Sequence, residues 1–250
     1  MKNNQQYSYS ICSIKGIKPI NEDDAWVGFN HSGQCLAIVC DGISSEKGSE
    51  LASKTIVDYF QQEFEKTHKV MWFNSWVKSH LNKAYNILKE KALQEHVSVG
   101  TTLVLAIISN KKVHIFNIGD SRLYHVSTEF QNVEQITKDH NLYNHLEHLN
   151  APQAVFIKNK KNLLALTRYI DSSTKENMNF DYYKIKAKKG DMFFLATDGL
   201  YNYIDVQHIY NRTSYLTEEQ FSELSRTLCN EALQNRSNDN ITGILVKVNK

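Results

Sequence analysis

Proline is almost missing from these 250 residues, at two, and glycine is sparse, at ten. No Pro- or Gly-rich linker divides the chain, so residues 1–250 read as one continuous domain. No stretch approaches the ~18 consecutive apolar residues of a membrane-spanning helix. Met1 to Ser10 is polar and lacks the apolar segment of a secretory signal. The four cysteines, Cys12, Cys35, Cys40 and Cys229, form no CxxC pair. Neither a zinc-finger rhythm nor a disulfide framework is expected, and thiols held in a reducing cytoplasm fit best. Excess charge is missing too, since 29 basic and 27 acidic residues leave +2. At that balance no nucleic-acid partner and no membrane partner is expected.

What is present is a folding composition, 41% hydrophobic and 22% charged. Short β-branched and aromatic runs predict buried strands at Cys35–Cys40, Thr102–Ile108, Val113–Ile118, Met192–Ala196 and Ile241–Val248. Asn110-Lys-Lys112 fits a hairpin connection between the second and third. Helical spacing joins Ala52, Ile56, Tyr59, Phe60 and Phe64, and again Val77, Leu81, Ala84, Tyr85, Leu88 and Ala92. A third helix is expected from Thr217, as N-cap, to Gln234. The order is strands, two helices, strands, an irregular polar stretch near 138–165, strands, a helix and a last strand. That is no βαβα alternation; it predicts an α+β sandwich with helices outside antiparallel sheets.

Carboxylates sit at the ends of the apolar runs. Asp41-Gly42 follows Cys40, Asp120 follows Ile118-Gly119, Asp198-Gly199 follows Thr197, and Asp239 precedes Ile241. One such acid normally leaves a strand into a solvated turn. Four at similar boundaries suggest a cluster, and clustered carboxylates repel unless cations lie between them. Hard divalent ions, Mg²⁺ or Mn²⁺, suit oxygen donors.

Around these residues the chain resembles the type 2C (PPM) metal-dependent Ser/Thr protein phosphatases. Lys18-Pro-Ile-Asn-Glu-Asp23 is similar to that family's opening R-x-x-N-E-D, and Val39-Cys-Asp-Gly42 to its V-x-D-G. Gly100-Thr-Thr102, Asn117-Ile-Gly-Asp-Ser-Arg122, Thr137-Lys-Asp-His140, Leu166-Thr-Arg168, Leu195-Ala-Thr-Asp-Gly-Leu200 and Ser237-Asn-Asp-Asn-Ile-Thr242 continue the series in order. The resemblance implies a four-layer α-β-β-α sandwich with two central antiparallel sheets and a dinuclear metal cleft. It implies a flap-like segment at about 138–165 within a single catalytic domain. It also implies metal ligation by Glu22, Asp41, the Gly42 carbonyl, Asp198 and Asp239. Asp41, Asp198 and Asp239 become the catalytic carboxylates, with Asp23 and Asn240 supporting them by hydrogen bonds. A weaker third cation would lie near Asp120 and Asn202. The implied reaction is hydrolysis of phosphoserine and phosphothreonine in proteins by a water that two Mg²⁺ or Mn²⁺ ions activate. The expected partner is a phosphorylated protein, opposite a Ser/Thr kinase, and the expected state is a cytoplasmic monomer.

Three features depart from the family pattern. Lys18 stands where an Arg usually clamps the substrate phosphate; it keeps the charge and loses the bidentate fork. Ile43-Ser-Ser-Glu-Lys-Gly48 lacks the glycine pair common after the first Asp-Gly. Asn202 replaces a carboxylate with an amide, so the third cation should be held less tightly. Two further patterns point elsewhere and are weaker. Gly48-Ser-Glu-Leu-Ala-Ser-Lys-Thr55 is one glycine short of a P-loop, with Ser53 in its place. His140, His145 and His148 have zinc-like spacing, and exposed polar residues are the plainer expectation. A rival reading of the whole is a catalytically weak or silent relative that binds phosphoproteins; its signature would be lost carboxylates, and Asp41, Asp198 and Asp239 are all present.

Overall fold

The computed structural model describes residues 6–43, 48–173, 179–213 and 215–250. The chain opens with β1 (Tyr7–Ile14), β2 (Asp24–Phe29), β3 (Cys35–Cys40) and the short β4 (Gly42–Ile43). Two long helices follow, α1 (Ser49–Lys66) and α2 (Phe73–Glu95). Next come β5 (Gly100–Thr101), β6 (Leu103–Ser109), β7 (Lys112–Ile118), β8 (Arg122–Ser127) and β9 (Asn132–Gln135). Short helices α3 (Leu142–His148) and α4 (Gln153–Lys158) lead to β10 (Ile170–Asp171), β11 (Asp181–Lys186) and β12 (Met192–Ala196). The chain ends with α5 (Asp198–Tyr201), α6 (Ile209–Thr213), α7 (Glu218–Ser222), α8 (Leu224–Gln234) and β13 (Ile241–Val248).

Two five-stranded antiparallel sheets form the centre, ordered β1-β13-β12-β8-β9 and β11-β7-β6-β3-β2. β3 shows why its sequence lacks alternation: both faces are covered. Cys35, Ala37 and Val39 meet Phe193, Leu195, Ile244 and Val246 in the apolar layer between the sheets. Leu36, Ile38 and Cys40 point outward beneath α1 and α2, whose Ile56, Phe60, Leu81 and Leu88 seal that side. Leu200, Phe221, Leu228 and Ala232 do the same over the other sheet. The result is the expected four-layer α-β-β-α sandwich.

All five predicted strands and the first two helices form, with ends shifted by a few residues. In the hairpin, Asn110 and Lys111 have φ of 47° and 61°, the left-handed pair that a two-residue turn between twisted strands requires. The third helix differs from expectation, because it breaks at Glu223 into α7 and α8. Ser10 of β1 enters the break: its Oγ donates to Ser222 O and accepts from Ser225 N–H, both at 2.8 Å.

The register brings the acidic strand ends to one end of the sandwich. Asp24 opposes Cys40, so the residues before β2 lie beside the exit of β3. Ala196 opposes Gly243, which sets the exit of β12 beside the entry to β13.

Candidate metal centre

Asp41 leaves β3 under backbone control. Its N–H donates to Thr102 Oγ1 at 3.0 Å, and its carbonyl accepts from Thr102 N–H and Thr101 Oγ1, both at 2.9 Å. Gly42 N–H donates to Glu22 O at 3.1 Å, tying the two acidic loops together. Asn240 fixes the same region from the far end of the chain. Its Oδ1 accepts from Glu22 N–H at 3.0 Å, while its Nδ2 donates to Lys15 O and Ile20 O at 3.0 and 2.8 Å. Gly199 packs against that residue so closely that a Cβ would stand 1.9 Å from Asn240 O. Glycine after Asp198 is therefore a requirement of close approach.

The carboxyl groups act on one another. Burial, and then Asp23, Asp198, Asp120 and Asp239, push the Asp41 carboxyl well above the usual carboxylate range. Asp23 is buried and pushed up to about 7 by desolvation, against the pull of hydrogen bonds from Thr242 and Thr197. Thr197 Oγ1 donates to Asp23 Oδ2 at 3.0 Å. Asp120 is raised to about 7 by burial, then by Asp198 and Asp139. Asp198 is raised by burial and by Asp239, and Glu22 chiefly by burial. Five aspartates and Glu22 thus share one electrostatic neighbourhood, all with oxygen donors. Such a set suits hard divalent cations and disfavours copper or zinc, which take imidazole or thiolate more readily. Among the described residues no three His, Cys, Asp or Glu side chains stand close enough together to hold a metal ion as placed. One cation is built in: Lys18 Nζ lies 3.1 Å from Asp239 Oδ1, and that hydrogen bond raises the Lys18 pKa.

Asn202 lies just past α5, exposed, with its N–H donating to Asp198 O at 3.2 Å. Tyr201 Oη donates to Asp120 O at 3.1 Å. Arg122 is occupied by Asp139 through Nε–Oδ1 and Nη2–Oδ2 contacts of 2.9 and 2.7 Å, and lies over the Tyr201 ring. Of the loop after Gly42, residues 44–47 lie outside the described residues.

The expectation that His140, His145 and His148 are exposed polar residues holds for two of the three. His145 and His148 are exposed on α3, whereas His140 is buried beside the carboxylates. Its Nδ1 accepts from Gly119 N–H at 2.9 Å, so the ring proton resides on Nε2, which faces Asp181 Oδ2 at 3.1 Å, off the line of a good hydrogen bond. Gly119 has φ of 105°, and a Cβ there would meet Thr102 at 2.6 Å. His140 thereby holds the tight turn that delivers Asp120. The only hint in the sequence is its place after Asp139 in Thr137-Lys-Asp-His140. The near-P-loop is no phosphate wrap: Ser53 lies inside α1, and its hydroxyl donates to Glu22 O.

Residues 138–165 form a closed excursion. Leu142 N–H donates to Ala165 O, Tyr143 N–H to Leu163 O and Thr167 N–H to His140 O. It borders a cleft of about 480 Å³ that includes Arg122, Asp139, Tyr143 and Leu164.

The sequence profile of a family described as Protein phosphatase 2C matches residues 18–245. A Mycoplasma genitalium protein named putative protein phosphatase is 32% identical over 254 residues, covering 95% of this chain and 94% of that one. The crystal structure of the serine/threonine phosphatase Stp1 from Staphylococcus aureus superposes with a TM-score of 0.80 at 28% identity, covering 97% of this chain and 95% of that one. The catalytic domain of the phosphatase PstP, solved with two manganese ions, shares the fold at a TM-score of 0.79 and 19% identity, covering 98% and 99% of the two chains.

Proposed function

The chain belongs to the protein phosphatase 2C family of serine/threonine phosphatases, and from that premise we propose how it works: it hydrolyses phosphoserine and phosphothreonine in proteins at the carboxylate cluster. Asp41, Asp198 and Asp239, with Glu22 and the Gly42 carbonyl, would hold two Mg²⁺ or Mn²⁺ ions. Bound there, the ions supply Lewis acidity and lower the pKa of water to a useful range. Asp41 lies at the centre of the cluster, since four other aspartates bear on its charge. Asp23 and Asn240 keep Glu22 and Asp198 in place through Thr197 and the backbone. Lys18, a half-exposed ammonium beside Asp239, would meet the phosphate dianion as a point charge. Asp120 would help hold a third cation, more weakly because Asn202 offers an amide in place of a charged carboxylate. Residues 138–165 serve as the flap that borders the substrate in this single catalytic domain. A phosphoprotein made by a Ser/Thr kinase is the substrate class, met by a monomer in the cytoplasm. No helix among the described residues is long and apolar enough to cross a membrane.

The observation that carries this reading is the mutual elevation of carboxyl groups from four distant stretches of chain. Fixed negative charges gathered without cations are costly, and a site that gathers them is organised for cations. The test is hydrolysis of a small aryl phosphate with Mn²⁺, with and without chelator, in the parent protein and in Asp198→Asn. Turnover should stop with chelator and fall at least about 100-fold in the variant, given what a metal pair contributes to the barrier. A parent protein with no metal-dependent turnover would refute the enzyme reading and favour the silent, phosphoprotein-binding relative.

A further inference from the structure

The end of the sandwich away from the carboxylates carries a second feature. β7 starts at Lys112, about 26 Å from Asp120 at roughly 3.3 Å per strand residue. There, between the start of α2 and the β7–β11 edge, lies a groove of about 410 Å³. Met71 and Trp72 stand on its lip at 63% and 81% exposure, an apolar pair left open to water. His114 lies beneath, buried, stacked on Phe73 with centroids 3.7 Å apart and hydrogen-bonded through Nδ1 to Tyr182 Oη at 2.7 Å. Burial and the charges of Lys184 and Lys112 push His114 down to about 4, so it is neutral at ordinary pH and the charge of the groove comes from lysine.

Lys184 opposes His114 and Lys186 opposes Lys112 across the β7–β11 ladder, so the lysines share one face. Among the described residues no carboxylate lies within ion-pair distance of Lys112, Lys184 or Lys186. β11 is also the outermost strand of its sheet, with β7 on one side and no strand on the other among the described residues. A free edge invites strand addition, and lysines along it repel most intruders. A segment rich in carboxylates is the strand such an edge admits, because opposite charges across a strand pair are favourable. Charge complementarity therefore names the occupant, and Trp72 names its anchor point.

We propose that this groove docks an extended acidic segment of a partner protein, bearing an aromatic or large apolar anchor, by strand addition to β11. The groove uses none of the residues assigned to hydrolysis, so the two readings stand or fall separately.

Fluorescence anisotropy on the full chain tests it, with a labelled peptide that carries glutamates and one phenylalanine at alternate positions, all on one strand face, with threonines between them. Binding should weaken about threefold or more between low and physiological salt, as screening of partly exposed charges requires. Lys112→Glu combined with Lys184→Glu should lower affinity about tenfold, and Trp72→Ala by a similar factor. Thermal unfolding of each variant reports whether the fold is retained. On the unaltered protein, the same peptide with glutamine for glutamate should bind at least about tenfold more weakly. Equal binding of the glutamine peptide would overturn the proposal, as would variants that fold normally and bind like the parent. Tighter binding of a single-stranded RNA oligomer, lost in the same variants, would overturn it in favour of a nucleic-acid surface.

Discussion

Lys18 holds two roles that its place in the chain does not reveal together. Its alignment with the Arg of the family's opening motif marks it as the expected phosphate contact. Its observed partner is Asp239, at 3.1 Å, on the far side of the sequence. An ammonium can serve a carboxylate and then a phosphate in turn, because it has three donors and no fixed plane. Arginine at this position would grip a phosphate with two parallel donors. Steady-state kinetics on a phosphopeptide should show Lys18→Ala raising KM several-fold, about what one charge-assisted hydrogen bond of ~1.5–3 kcal/mol supplies. Lys18→Arg should match or exceed the parent. If neither change moves the kinetics, Lys18 serves Asp239 alone. Asp41, Asp120, Asp198 and Asp239 were legible in the sequence because a carboxylate ending an apolar run is visible locally. The grip of Asn240 on Lys15 and Ile20 was not, since it joins residues more than two hundred positions apart.

The elements show the same limit. Strands covered on both faces, such as β3, stand out as unbroken apolar runs and were readable. β11, with alternating exposure along DYYKIK, and β1, with serines between its larger side chains, are not among the expected strands, because half-covered strands carry a weaker signal. The expected helix from Thr217 to Gln234 keeps its capping box at Thr217 and Gln220 and its apolar face, yet breaks at Glu223. Nothing local in that stretch demands the break; the hydroxyl of Ser10, from β1, satisfies the carbonyl of Ser222 and the N–H of Ser225 that the break exposes. Ser10→Ala leaves the Ser225 N–H without that partner in a buried place, and the carbonyl of the exposed Ser222 without it nearer solvent. An unsatisfied buried group costs about 1–3 kcal/mol, so denaturant unfolding should show a loss in that range. A loss under about 0.5 kcal/mol, the scale of an ordinary surface change, would mean that α7 and α8 merge or that other groups take over the bonds.

At the scale of the whole molecule, the carboxylate cluster couples stability to pH and to cations. Asp23 and Asp120 are raised to about 7 in the folded chain, and Asp41 and Asp198 are raised with them. In the unfolded chain each returns to about 3.9. Between those values the folded state binds more protons than the unfolded state, so stability falls as pH rises. The contribution is complete below pH ~4 and is lost as pH climbs through ~7. Divalent cations reverse the sign by binding the ionised carboxylates of the folded state alone, adding stability that grows with the logarithm of their concentration. Thermal unfolding of metal-stripped protein should therefore show Tm falling from pH 5 to pH 8. Mn²⁺ should restore Tm most at the upper end of that range, where the carboxylates are ionised and their repulsion is greatest. Asp23→Asn should flatten the metal-free profile, because an amide at that position needs no proton to stay neutral beside Thr197. A metal-free Tm that rises over the same interval would mean that these carboxyl groups do not repel one another in the folded chain. A profile indifferent to Mn²⁺ would mean that they gather for a reason other than cation binding.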